Sequence, residues 1–191
     1  GRSLCAAPRY ALMLAADALV DVTGQTVTVF LSQLAYVRCG LSGAQLGAAY
    51  LGMTLVGLMQ GASYKATHAL GRRGFGLVAC ALMAAACGGL CLARGPLWCV
   101  ACVWCVQLCW CLWQPFAQTM HNDSVRLGAR SVVLSGYSMA QSFAMSGLNL
   151  GLGRLADVRL PLAFAAAGSF CMLALVLAAF YFRQNKKGCV S

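Results

Sequence analysis

Acidic residues are the scarcest feature of this sequence. Only four of its 191 residues are acidic, and charged residues of both signs make up 9% of the chain, against about 25% in soluble domains. Hydrophobic residues make up 61%, which is more apolar surface than a soluble fold of this size can bury. The composition therefore excludes a soluble globular domain and predicts an integral membrane protein.

Histidine is also scarce, and the common catalytic motifs are missing. The two histidines, His68 and His121, lie next to predicted cytoplasmic loops. Cysteines with C-x-x-C spacing occur at Cys99, Cys102 and Cys105, but on an apolar segment without a nearby histidine, so we predict no metal site. The sequence contains no nucleophile elbow, zinc-protease motif or phosphate-binding glycine loop. We therefore expect neither an enzyme nor a bound cofactor.

Basic residues outnumber acidic ones and give a formal net charge of +10. They lie mostly in short segments between apolar runs, not in a basic patch interleaved with exposed aromatics, which argues against a nucleic-acid partner. If the amino terminus is cytoplasmic, most of the lysines and arginines fall in segments on the cytoplasmic side. This positive-inside bias predicts a plasma-membrane protein with both termini in the cytoplasm.

Long apolar runs dominate the chain and predict six transmembrane helices joined by short connections. The predicted helices are Tyr10–Tyr36, Ala44–Ala66, Phe75–Ala93, Leu97–Met120, Ser131–Ala156 and Leu160–Phe182. We therefore predict an all-α membrane protein in which residues 1–191 form a single six-helix transmembrane bundle. Because the chain begins with glycine instead of methionine, we expect it to be a fragment of a longer protein.

Glycines recur in these runs at the spacing of helix contacts. Three pairs are separated by four residues, which places each pair on one helix face. The pairs are Gly43 and Gly47, Gly57 and Gly61, and Gly147 and Gly151. We expect close helix packing at these positions.

Two aspartates inside the first apolar run are the most informative polar residues. Asp17 and Asp21 are four residues apart and therefore share one helix face, which Gln25 and Thr28 continue. An ionised carboxylate near the bilayer centre costs at least about 2.5 kcal/mol, so such a residue normally faces a cavity or a partner. The pattern favours a helix that lines a substrate path. The alternative is a pair near the cytoplasmic end, hydrated or bound to Arg9.

The fourth apolar run carries a second polar stripe. Gln107, Gln114 and Gln118 lie near one helix face, accompanied by Trp110 and Trp113. Amides that orient a ligand and aromatics that supply contact area are typical of a small-molecule pocket. The alternative is that the glutamines bond to neighbouring helices and the tryptophans form interfacial belts. We predict that Gln107 and Gln114 face the path.

Three segments resemble the major facilitator superfamily of transporters. Residues 71–74 (Gly-Arg-Arg-Gly), which follow Lys65, resemble the basic loop of that family, although the family's aspartate is absent. Residues 122–157, with Arg130 before a small-residue helix that ends in Gly-Arg-Leu-Ala-Asp, resemble the region of its tenth and eleventh helices. Residues 30–33 with 40–42 resemble the end of its seventh helix and the following loop.

This resemblance implies a carboxy-terminal half of a twelve-helix transporter. Such a half moves a small solute by alternating access, with proton-coupled export as one form of that activity. The resemblance implies that Arg72, Arg73 and Arg130 stabilise the cytoplasmic gate. The implied partners are the lipid bilayer, a small-molecule solute and an amino-terminal half or a second copy of the chain. The alternative is a non-transporting scaffold or receptor-like module with the same fold.

Overall fold

A computed structural model describes residues 6–124 and 130–187, and these residues are almost entirely helical. The helices are α1 (Ala6–Gln25), α2 (Ser32–Arg38), α3 (Gly43–Gly57), α4 (Ser63–Cys91), α5 (Pro96–Ser124), α6 (Arg130–Val158) and α7 (Leu160–Lys187). A π-helical turn over Thr26–Leu31 connects α1 to α2, and a 3₁₀ turn over Leu58–Ala62 connects α3 to α4. The described part of the chain thus forms five continuous helical runs and contains no strand.

Most of these runs match the requirements of a bilayer. Four are long and apolar enough to cross a membrane, namely Ala11–Arg38, Gly43–Cys91, Pro96–Asn122 and Leu160–Arg183. The described part of α6, which carries polar residues such as Gln141 and Asn149, does not appear among the four. The chain is therefore an all-α protein with the helices of an integral membrane protein, as its composition predicts.

The outward surface of α3 and of the 3₁₀ turn that follows it is strongly apolar. Leu51, Leu55 and Leu58 lie on one helical face and are 69, 64 and 75% exposed. A contiguous apolar stripe of this kind is unusual on a water-soluble monomer. In a bilayer the same stripe contacts lipid tails at no cost.

Helix α3 runs parallel to α5. Near the start of both, the Trp104 indole Nε1 donates a hydrogen bond to the Ala49 carbonyl at 3.0 Å. Beyond the end of α3, the hydroxyl of Ser63, the first residue of α4, donates to the Leu112 carbonyl at 2.6 Å, further along α5. Residue numbers on the two segments increase together, which defines their common direction.

Most of α4, in contrast, runs antiparallel to α5. The rings of Phe75 and Phe116 meet at a centroid distance of 5.0 Å near the end of α5. At its start, the Trp98 Nε1 donates to the Gly89 carbonyl at 3.1 Å. The helical run over residues 43–91 therefore reverses direction between Ser63 and Phe75.

Gly71 is the point of non-helical backbone inside this run. Its φ of 70° and ψ of 155° lie outside the region open to most L-residues, which makes glycine the suitable residue here. Sequence patterning predicted two separate helices on either side of this position. The described residues instead form five helical runs, so the number of runs does not support the predicted count of six.

The protein core lies where α4 contacts α5 and α7, and where α7 contacts α1. It is built from apolar side chains and small thiols, including the fully buried Met83, Cys87, Phe164 and Cys171. The described cysteines are all free thiols. Buried thiols of this kind pack as small hydrophobes.

Close helix contacts at glycine occur, but mostly at positions other than the predicted pairs. A Cβ added at Gly43, Gly47, Gly61, Gly147 or Gly151 would meet no atom of the described residues within 4 Å. The prediction of close packing at these pairs was therefore wrong for all but Gly57, which lies near Gln107. Neighbouring atoms come closest to an added Cβ at Gly24 and Gly52, where an indole ring of α5 lies against each glycine.

Substitution of Gly52 by alanine should destabilise the protein, because the new methyl group would overlap the Trp104 ring. We expect a loss of about 1–3 kcal/mol, typical of overpacking. Gly47→Ala on the same helix is the matched control, since it meets open space and should be neutral or stabilising by up to about 1 kcal/mol. Thermal unfolding in detergent measures both. Equal effects of the two substitutions would show that Trp104 does not pack on α3 in this way.

Candidate functional site

Asp17 is held by two side chains of α5. The Trp113 indole Nε1 donates to its Oδ1 at 2.8 Å, and His121 Nε2 lies 2.9 Å from its Oδ2. The three residues are no more than 7% exposed. This enclosure differs from the hydrated position that was the alternative interpretation of the sequence. The side chain of Arg9, the other partner considered, lies outside the described residues.

Asp21 is held by amides and an indole from two helices. The Trp110 Nε1 donates to Oδ1 at 2.8 Å, and the Gln114 Nε2 donates to the same oxygen. The Gln141 Nε2 of α6 donates to Oδ2 at 2.9 Å. Asp21 is half-buried, and no described cationic side chain forms an ion pair with it. The carboxylate therefore connects α1, α5 and α6 through neutral donors alone.

Helix geometry explains why these donors meet the aspartates. Trp110, Trp113 and Gln114 are three and four residues apart, so they occupy adjacent positions on one face of α5. The contacts of Trp113 with Asp17 and of Trp110 with Asp21 give α1 and α5 opposite directions. Two neighbouring indoles can therefore reach two carboxylates that lie one helical turn apart.

Gly24 gives Trp110 the room that this arrangement needs. A Cβ at Gly24 would overlap the Trp110 indole, so only glycine lets the ring lie against the backbone of α1. Trp113 is supported from the other side by Phe116, at a ring-centroid distance of 5.3 Å. Both indole N–H groups are thus fixed in place by packing.

The polar face of α1 continues beyond the aspartates through the π-helical turn. The Thr26 hydroxyl is hydrogen-bonded to the Asn149 side chain of α6. The Thr28 hydroxyl donates to the Gly24 carbonyl at 2.7 Å, and Ser32 lies 3.0 Å from the Tyr50 hydroxyl of α3. Because π-helical turns often occur at functional sites, this turn marks the same face of α1 that carries the aspartates.

The remaining predicted path residues lie apart from the carboxylates. Gln25 is half-buried on α1 and makes no hydrogen bond to a described residue. The Gln107 Nε2 lies 3.4 Å from a Cβ placed at Gly57, so Gln107 faces α3. Of the two predicted path glutamines on α5, Gln114 joins the aspartates and Gln107 does not.

Two of the three predicted gating arginines lie on α4. Arg72 and Arg73 follow Gly71 and are exposed. Arg72 and His68 line a cavity of about 370 Å³ between α4 and the end of α5. Arg130 begins α6, and its side chain lies outside the described residues.

Sequence reasoning did not predict that four residues bind the aspartates. Trp110, Trp113 and Gln141 had no assigned bond to a carboxylate, and His121 was placed near a loop, away from any intramembrane role. Their spacing on α5 contained the signal, because positions 110, 114 and 121 fall along one helical face. Gln141 carried no such signal, since its contact depends on how α6 packs against α1.

The described residues hold no cluster of three or more histidine, cysteine or acidic side chains suited to a metal ion. The chemistry available at this site is therefore hydrogen bonding and charge. Among the described residues, one carboxylate is bound to an imidazole, and the other is bound to neutral donors.

Replacement of Trp113 by phenylalanine should lower stability by about 1–3 kcal/mol, because a buried carboxylate loses a hydrogen bond. Trp98→Phe is the matched control, since it also removes one indole N–H bond but at an exposed site. Its effect should stay within about 0.5 kcal/mol. Thermal unfolding of both variants in detergent tests this difference. A Trp98 variant as unstable as the Trp113 variant would contradict the bond to Asp17.

The chain matches no protein-family model, no curated protein and no solved structure. Its function therefore has to be inferred from the residues gathered around Asp17 and Asp21.

Proposed function

We propose that the chain is the carboxy-terminal six-helix half of a secondary transporter of the major facilitator type. It moves a small solute by alternating access and exchanges it for protons. It lies in the plasma membrane with both termini in the cytoplasm. An amino-terminal half or a second copy of the chain completes the solute path.

The observation that carries this proposal is the position of Asp21. It lies ten residues beyond Ala11, where the first apolar run begins, which is about 15 Å along the helix. Ionisable groups at such depths usually serve a solute or proton path, because they are costly to bury in lipid. The bonds of Asp21 to α5 and α6 make its charge state depend on the positions of both helices. A proton-exchanging carrier requires a coupling of this kind.

The course of the 43–91 run supports six membrane crossings. Its 49 residues would extend about 74 Å as one straight helix, more than twice the roughly 30 Å hydrocarbon core. The first part of the run is parallel to α5 and the last part is antiparallel to it. This reversal favours two crossings with a turn at Gly71. Together with α6, the chain then crosses six times. The basic residues Arg72 and Arg73 at this turn fit a cytoplasmic loop.

A second candidate function is a non-transporting membrane module with the same fold. The enclosed pair of Asp17 and His121 favours it, because a carboxylate bonded on both oxygens and shielded by Trp113 can serve stability alone. Asp21 favours the carrier, since it is half-buried and unpaired with any described cation. Solute flux distinguishes the two functions.

Membrane topology gives a direct check of the six crossings. Epitope tags inserted at Gly40 and at Gly95 should both be accessible from outside intact cells, and a tag at Gly71 only after permeabilisation. If residues 43–91 crossed the bilayer once, the tags at Gly40 and Gly95 would lie on opposite sides. Antibody labelling of cells and of inverted vesicles therefore decides between the two arrangements.

Transport is tested in vesicles that contain the full chain. Under an imposed pH gradient, one of three radiolabelled solutes, an organic cation, a sugar or an organic acid, should accumulate. Asp21→Asn should reduce that uptake at least about tenfold, the effect of losing an interaction worth roughly 1.4 kcal/mol. Asp157→Asn, which removes the same charge from an exposed position on α6, should leave uptake unchanged. If none of the solutes accumulates in correctly oriented vesicles, transport by two copies of this chain fails, and the module is favoured over that form of the carrier.

A further inference from the structure

Three pairs of cysteine thiols are hydrogen-bonded to each other in the described part of the chain. The pairs are Cys39 with Cys99, Cys87 with Cys171, and Cys105 with Cys109. Two thiols in contact can be oxidised to a disulfide where the backbone geometry permits it and an oxidant reaches one of them. The three pairs differ in both respects.

The pair inside the core and the pair on α5 do not meet these conditions. Cys87 and Cys171 are fully buried on α4 and α7, so a water-soluble oxidant reaches neither of them. Cys105 and Cys109 lie four residues apart on α5, which separates their Cβ atoms by about 5–6 Å. A disulfide needs Cβ atoms about 3.5–4.5 Å apart. We therefore expect both pairs to remain thiols.

Cys39 and Cys99 lie where two connections of the bundle meet. Cys39 directly follows α2, lies outside the first apolar span and is partly exposed, whereas Cys99 in the first turn of α5 is fully buried. The Cys39 Sγ lies 3.9 Å from the carbonyl oxygen of Ala93, in the connection between α4 and α5. Leu41 and Leu97, from the same two regions, line one cavity of about 340 Å³. One thiol of this pair is therefore reached from solution, and the other is in contact with it.

Tyr36 holds the last turn of α2 against its neighbours. Its side chain is fully buried, and its ring meets the edge of Tyr50 of α3 at a centroid distance of 5.8 Å. It also lies close enough to Cys99 for an electrostatic interaction. Gly40, with a φ of 81°, turns the chain out of α2 directly after Cys39. Because packing fixes both thiols in contact, little conformational entropy remains to be lost when they join.

We propose that Cys39 and Cys99 are a modification site, at which a reversible disulfide links the end of α2 to the start of α5. The proposed membrane topology places both connections outside the cell, where disulfides form and persist, and the presence of the link in cells rests on that topology. The link closes a long loop that contains α3 and α4. Closure of such a loop restricts the unfolded chain and thereby stabilises the folded one.

A low-molecular-weight disulfide such as oxidised glutathione is the oxidant for this step. The Cys39 thiol loses its proton, and its sulfur attacks one glutathione sulfur, which breaks the glutathione disulfide and releases one glutathione thiolate. The Cys99 thiol then loses its proton, and its sulfur attacks Cys39 in the mixed disulfide and releases the second glutathione thiolate. The two thiolates take up the two protons. Two cysteines are thus oxidised, and one glutathione disulfide is reduced to two thiols.

Peptide mapping of the full chain in lipid nanodiscs tests the link directly. Tryptic peptide 39–65 contains Cys39 as its only cysteine, and peptide 95–126 contains Cys99. After treatment with oxidised glutathione and alkylation of the remaining thiols, mass spectrometry should find the two peptides joined, and dithiothreitol should separate them. Cys99→Ser should abolish the link. Cys105→Ser, which removes another thiol of the same peptide, is the matched control and should retain it. A wild-type peptide 39–65 that carries an alkylated Cys39, or a link that persists in Cys99→Ser, would overturn the proposal.

Thermal unfolding provides a second readout of the same site. The oxidised wild-type chain should unfold at a midpoint at least about 4 °C above that of the reduced chain, because a disulfide typically stabilises a folded protein by limiting its unfolded state. Cys39→Ser should show the same midpoint under both conditions. No shift in the wild type, or an equal shift in Cys39→Ser, would contradict the stabilising link.

Measurements in cells separate this site from the proposed topology. If thiols are alkylated before lysis, peptide 39–65 should already be joined to peptide 95–126 without added oxidant. A link that forms in nanodiscs but is missing from cells would overturn the outward position of the two connections, which the tags at Gly40 and Gly95 test independently, and would leave the thiol pair intact as a site. Outward tags without a link in either preparation would overturn the disulfide and leave the topology standing.

Discussion

A carboxylate within an apolar helix determines much of the arrangement of this protein. In water such a group is solvated from all sides, but in a bilayer its hydrogen bonds must come from neighbouring helices. Asp17 and Asp21 obtain them from Trp113, His121, Trp110 and Gln114 on α5, and from Gln141 on α6. The contacts fix the register of α5 against α1. They also give α6 one of its polar attachments to the rest of the bundle.

The class of fold could be predicted from the sequence, and the two central aspartates could be singled out in it. Apolar runs of sufficient length identify membrane helices because the bilayer sets their length, and Asp17 and Asp21 stand out because charge is rare in such runs. The five helical runs of the described residues do not support the predicted count of six, since helical structure continues through residues 67–74, where the sequence predicted a break. Only the backbone at Gly71 departs from helical geometry within that run.

The partners of the aspartates were harder to predict, because they depend on how helices pack. Gln107 and Gln114 occupy similar positions along α5, but α3 lies beside the first and α1 beside the second. Glycine spacing was misleading for the same reason. Four-residue pairs indicate a shared face but not a neighbour, and the glycines that admit Trp104 and Trp110 are single residues.

The neutral donors around Asp21 explain how occupancy of one carboxylate can be transmitted to other helices. A protonated carboxyl group accepts hydrogen bonds more weakly than a carboxylate, so proton binding loosens the contacts from α5 and α6 together. The described part of α6 packs mainly on α7. Its Gln141 bonds to Asp21 of α1, and its Asn149 bonds to Thr26 of the π-helical turn. Because α5 packs against α3 and α4, whereas the described part of α6 packs mainly on α7, we expect a change at Asp21 to displace α6 before α5.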